Sequence, residues 1–117
     1  MKINKWDTGI VFPFWDIGGE VVKEDERYQV RDNQILKNLS ITSTRLNSSC
    51  STTGHFHEGQ EEIYFFIEGD GTMEVGEKKF HFNVNDIVTI PDGEFHRVHA
   101  NKSGCYFVCV FNGVRNE

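Results

Sequence analysis

The chain has 117 residues, enough to bury one core but not two. Its formal net charge is −6, and Lys78, Lys79, Arg97 and Lys102 are scattered, which argues against nucleic acid as a partner. No stretch is as long as a membrane span, the N-terminus lacks a signal-peptide pattern, and three cysteines make no disulfide framework, so a cytoplasmic protein with reduced thiols is expected.

The first 38 residues are irregular. They read as an N-terminal strand or arm that packs on the rest of the chain or on a partner subunit, with a homodimer expected. Within them, Phe12-Pro13-Phe14-Trp15 is an apolar cluster interrupted by a strand-breaking proline, and residues 21–30 are ambiguous between helix and strand. From residue 39 onward, short β-branched and aromatic runs alternate with turn chemistry. Strands are predicted over 39–46, 62–67, 72–75, 78–82, 87–90, 95–100 and 105–111, with turns at 68–71, 76–77, 91–93 and 101–104. This spacing predicts an all-β sandwich or barrel over residues 39–117.

Residues 54–64, GHFHEGQEEIY, carry the chemistry. On an extended strand, alternate residues share a face, so His55 and His57 point the same way, roughly 6.5 Å apart. Two imidazoles at that spacing can converge on one ion at roughly 2.0–2.2 Å. After a polar loop, Glu62 opens an apolar run and shares parity with Tyr64 and Phe66. A carboxylate entering a barrel is costly unless a cation meets it. His96, placed by the turn Pro91-Asp92-Gly93, completes a set of three imidazoles and one carboxylate. That donor set suits one divalent transition metal ion (Mn, Fe, Zn, Ni or Co) better than Ca or Mg. His81 and His99 on their own read as surface or hydrogen-bonded histidines, and Glu61 as a solvated loop residue.

These residues resemble the motifs of the cupin superfamily. His55-x-His57, four residues, Glu62, six residues, Gly69 is similar to the first cupin motif. Pro91-x-Gly93, two residues, His96 is similar to the second. The resemblance covers residues 39–111 and implies a double-stranded β-helix, a jelly-roll barrel of two antiparallel sheets, with His55, His57, Glu62 and His96 at the metal-binding positions. Three departures stand out. Ser49 and Asn85 occupy the leading-glycine positions of the two motifs, and Asn101 follows His96 by one residue more than the pattern, which suggests a bulge. A local likeness to the cupin-type glucose-6-phosphate isomerases runs through Thr53-Gly54-His55-Phe56-His57, Glu62-Ile63-Tyr64 and Gly69-Asp70-Gly71-Thr72-Met73.

A metal held by four side chains retains about two open positions, where a small molecule with adjacent hydroxyl and carbonyl oxygens could chelate. The expected function is isomerisation or epimerisation of a sugar or sugar phosphate. Tyr64, His99 and Glu94 are the candidates for proton transfer. Arg45 is the candidate for holding an anionic group inside the barrel and Thr53 for hydrogen bonding, with Tyr64, Phe66, Phe107 and Cys109 as lining. The alternatives are an Fe-dependent dioxygenase of an enediol or aromatic substrate, a decarboxylase of small acids, and a non-catalytic small-ligand-binding barrel. Cys105 and Cys109 lie about 13 Å apart on an extended strand and read as small core residues. Cys50 reads as a loop thiol with no base to activate it.

Overall fold

A computed structural model describes residues 9–115, so residues 1–8 of the expected arm lie outside the described residues. The described chain forms seven strands: β1 (Glu20–Glu24), β2 (Tyr28–Asn33), β3 (Leu39–Leu46), β4 (Glu62–Val75), β5 (Lys78–Phe82), β6 (Ile87–Ile90) and β7 (His96–Asn112). Among the described residues, no helix is long and apolar enough to cross a membrane.

All pairings are antiparallel, in the order β1-β2-β3-β7-β4-β5, with β6 on β4. The long strands β4 and β7 serve two sheets. The first part of β4 and the last part of β7 lie beside β3 and β6, and their other halves lie beside β5. Between these halves the β4–β7 register slips twice, at Phe66/Glu68 and at Gly69/Gly71. The ladder therefore folds over on itself. Residues 68–71 and 101–104, predicted as turns, are bulged stretches of continuous strand.

Glycine permits this fold-over. Gly69 (φ 77°) approaches so closely that a Cβ there would stand 2.0 Å from the Gly104 carbonyl oxygen. Gly104 has φ 71°, and a Cβ there would meet the Leu46 carbonyl at 2.7 Å. Both positions need the left-handed region and leave no room for a side chain. Ser49 (φ 57°) and Asn85 (φ 76°), which replace motif glycines, also adopt that region.

The core lies between the two halves. Tyr28, Val30, Leu46, Tyr64, Phe66, Phe107 and Cys109 face Met73, Phe82, Val98 and Ala100, and the stacked rings of Phe66 and Phe82 are 3.8 Å apart. Each fully buried large apolar side chain contributes about 1.5–3 kcal/mol relative to exposure.

The N-terminal third is more regular than expected. Residues 21–30 hold the end of β1, a bend at 25–27 and the start of β2 rather than a helix, and β2 pairs with β3 at six consecutive positions, so the sheet starts at residue 20 rather than 39. Upstream of it, Ile17 is buried against Tyr106 and Val108 on the sheet's outer face, and the Tyr106 hydroxyl donates to the Phe14 carbonyl at 2.6 Å. The aromatic cluster thus serves in part as core cover, although Trp15 stays 75 % exposed.

Candidate metal centre

His55 and His57 do not sit on a regular strand. Their segment touches β7 through isolated bridges, Ser51 with His99 and His55 with His96. The His55 and His96 backbones exchange two hydrogen bonds (3.2 and 3.0 Å), which sets the two imidazoles side by side with ring centres 4.6 Å apart. The Gly93 amide donates to the His57 carbonyl at 3.0 Å, tying the second-motif turn to the first motif. The His57 ring lies 4.5 Å from that of His55, while Phe56 between them points outward. Glu62 enters from the start of β4 and is buried. Glu61 beside it is exposed, and its amide is held by Asn112.

One ligand atom from each of His55, His57, Glu62 and His96 can be chosen so that all four lie within 4.8 Å of one another. Two donors about 2.1 Å from a common ion are at most about 4.2 Å apart, so the cluster needs only slight contraction to close on a cation. The protonation pattern supports the fit. His96 Nδ1 lies 3.0 Å from the Glu94 carbonyl, which can only accept, so Nδ1 carries the proton and Nε2 presents a lone pair. That Nε2 is buried and makes no hydrogen bond, although it sits 3.5 Å from Glu62 Oε1. Burial lowers the His96 pKa, so the contact is a lone pair facing a carboxylate rather than an ion pair. A shared cation resolves both the orphaned nitrogen and the repulsion. Burial also pushes His55 down to about 4, helped by neighbouring His96 and His57, and raises Glu62. The His55 and His96 imidazoles are therefore neutral and able to ligate at physiological pH.

The cluster opens into a narrow cavity of about 60 Å³. Thr53, Tyr64, Phe107 and Cys109 are among its lining residues. Burial drives the Tyr64 phenol and the Cys109 thiol well above their usual pKa values, so both stay protonated. The Tyr64 hydroxyl lies beside both Glu62 and Cys109. Cys105 is also buried, with its thiol pushed up to about 12 by burial, in keeping with a core role.

Four expectations are corrected. Phe66 is wholly buried and packs behind Tyr64 and Phe107 without reaching the cavity wall. Arg45 faces away from the barrel, stacked over Tyr106 and 3.3 Å from Glu68, because the inward side of β3 is Ser40, Thr42, Thr44 and Leu46. His99 points outward, between Ser51 Oγ (2.6 Å) and Glu74 Oε2 (2.5 Å), because His96, Val98 and Ala100 take the inward positions of that stretch. Glu94 is exposed, with its carboxylate against Gly76. Only its backbone carbonyl serves the site.

The sequence reading missed four polar wall residues, Thr42, Thr44, Lys23 and Arg115. Arg115 donates from Nε and Nη2 to the two Asp32 carboxylate oxygens, both at 2.7 Å, and from Nη2 to Thr42 Oγ1 at 2.9 Å. This two-pronged pair fixes the guanidinium at the cavity. The alternating hydroxyls of β3 were a readable signal for Thr42 and Thr44. Nothing local marks Lys23 or Arg115.

A sequence profile of the cupin domain matches residues 44–111, more than half of the chain. The chain belongs to the cupin family. This cupin is 27 % identical over 100 residues to an uncharacterised protein of Methanocaldococcus jannaschii, covering 84 % of this chain and 76 % of that one. Its fold is similar to that of KdgF from Halomonas sp., with a TM-score of 0.74 and 16 % identity, covering 83 % of this cupin and 88 % of that chain. It is also similar to a predicted oxalate decarboxylase from Thermotoga maritima, with a TM-score of 0.68 and 21 % identity, covering 90 % and 100 %. At such identities these two likenesses speak to the fold alone.

Proposed function

We propose that this cupin is a metal-dependent enzyme that isomerises or epimerises a small anionic sugar derivative, a sugar acid or sugar phosphate. The observation that carries the reading is the bare, buried His96 Nε2 facing Glu62 at the floor of a cavity whose wall carries the side chains of Lys23 and Arg115. His55, His57, Glu62 and His96 would hold the ion. A divalent transition ion bound there supplies Lewis acidity, polarising a carbonyl and acidifying the neighbouring C–H.

The chain's own residues supply the rest. Arg115, fixed by Asp32 and Thr42, orients the anionic group. Thr42 and Thr44 offer hydroxyls to the substrate, and Tyr28, Phe107 and Phe111 keep water from the reacting atoms. Tyr64, beside Glu62, would take the proton from the acidified carbon as its own hydroxyl proton passes to Glu62, and the reverse transfer would return a proton to the substrate, so the proton count closes within this pair.

One observation favours decarboxylation as a second reading. Of the three residues expected to transfer protons, only Tyr64 reaches the cavity, and loss of carbon dioxide needs a proton donor rather than a base.

Anaerobic incubation of metal-loaded protein in D2O with a panel of sugar acids and sugar phosphates tests these readings. Deuterium incorporation at carbon with no gas release supports isomerisation, whereas released carbon dioxide supports decarboxylation. Turnover that requires O₂ would place the protein among oxygenases, and tight binding without turnover would make it a binding module. Arg115→Gln should raise KM roughly tenfold with a smaller effect on kcat, while Tyr64→Phe should lower kcat by roughly a hundredfold.

A further inference from the structure

A second polar pocket, of about 580 Å³, lies on the outer face of β2 and β3, on the opposite side of the sheet from the metal centre. The alternation of β3 creates both sites: Thr42 and Thr44 face the metal cavity, while Ser43 and Arg45 face outward. Strand pairing assembles the outer floor. Arg31 is opposite Ser43, Gln29 is opposite Arg45, and Arg45 is in turn opposite Tyr106. Arg31 and Arg45 are thus diagonal neighbours, roughly 7–8 Å apart at their Cβ atoms, a gap that two guanidinium groups readily span. Residues 15–19 form one wall, with the Trp15 indole exposed beside the opening.

The pocket lining carries two guanidinium groups, Arg31 and Arg45, against the single carboxylate of Asp16. The half-buried Arg31 side chain makes no hydrogen bond or ion pair among the described residues. Arg45 stacks on Tyr106 and touches Glu68, but both members of that pair are more than half exposed, so the contact is weak and exchangeable. Asp16, the acidic residue of the lining, is engaged by the Gly18 amide at 3.0 Å. The remaining donors are two guanidinium forks, the Ser43 hydroxyl and the Gln29 amide. That is more than the two oxygens of a carboxylate can satisfy, but it suits the three terminal oxygens of a phosphate ester. In a chain of net charge −6, such a cluster is a local feature.

We infer that this outer pocket binds a phosphate monoester, with the phosphate between Arg31 and Arg45 and the organic part along Trp15. Phenyl phosphate titrated into the full chain, followed by calorimetry and by amide NMR shifts, tests this. The expected result is saturable one-site binding that shifts the amides of Gly18, Gly19, Ser43 and Arg45. Arg31→Gln and Arg45→Gln should each weaken it roughly tenfold or more with an unchanged thermal melt, and benzoate should bind far more weakly. The metal-site variant His55→Ala should bind phenyl phosphate like the wild type, which separates this pocket from the catalytic reading. Absence of saturable binding, retention in both arginine variants, benzoate binding as tight as phenyl phosphate, or loss of binding in His55→Ala would each overturn the inference.

Discussion

At the scale of single residues, the candidate metal centre rests on one tautomer. The Glu94 carbonyl fixes the proton of His96 on Nδ1, leaving Nε2 buried without a hydrogen-bond partner and aimed at Glu62. The buried imidazoles also make the metal-free protein sensitive to acid. The His55 pKa falls to about 4 from 6.5, so between those values the unfolded chain binds more protons than the folded one. Stability from this group is fully present above about pH 6.5 and is lost as pH falls toward 4; His96, also lowered, acts in the same direction. Glu62, raised by burial, acts oppositely. Thermal melts of chelator-treated protein should therefore show Tm falling across that window, and His55→Gln should flatten the fall. An unchanged slope in His55→Gln would contradict the assigned burial. The cluster of His55, His57, Glu62 and His96, which could hold an ion, was legible in the sequence because its chemistry and spacing survive without knowledge of the strands. His55 and His57 converge even though their segment is held by isolated bridges and is not a regular strand.

At the scale of elements, the bulges decide which residues face the cavity. His96, Val98 and Ala100 point inward on even positions, and Cys105, Phe107 and Cys109 point inward on odd ones, because the left-handed Gly104 lies between them. Counting back from Phe107 without that shift places His99 inside. Arg45 faces outward for a different reason. The apolar residue Ile41 belongs to the outer face of β3, where it packs beside Ile17 of the N-terminal arm, while the inner face carries the polar Ser40, Thr42 and Thr44. With hydroxyls on the cavity side and Ile41 on the covered stretch of the outer side, polarity does not tell the two faces of β3 apart. Gly104→Ala should destabilise the fold by about 2 kcal/mol or more, since it combines a strained φ with a close approach to Leu46. Chemical denaturation checks this, and a wild-type midpoint would show that the bulge does not need glycine.

At the scale of the whole molecule, the all-β character was legible from the density of short β-branched runs and turns. The way β4 and β7 each join two sheets was not, because glycine-rich bulges and turns look alike in sequence. The barrel's extension to β1 and β2 was likewise hidden, since pairing with β3 depends on distant residues. Among the described residues β1 lies at the end of the strand order with Val21 and Val22 about 40 % exposed, and we propose that this edge meets a second copy of the chain. Sedimentation velocity should give a single species of twice the chain mass, and a monomer at all concentrations would contradict that expectation. The most direct test of the metal centre is elemental analysis of untagged protein beside His55→Ala and His96→Ala, each titrated with Mn, Fe, Co, Ni and Zn. The four-ligand centre predicts close to one ion per wild-type chain and loss of most of it in both variants. No uptake by the wild type, or equal occupancy in all three proteins, would contradict it.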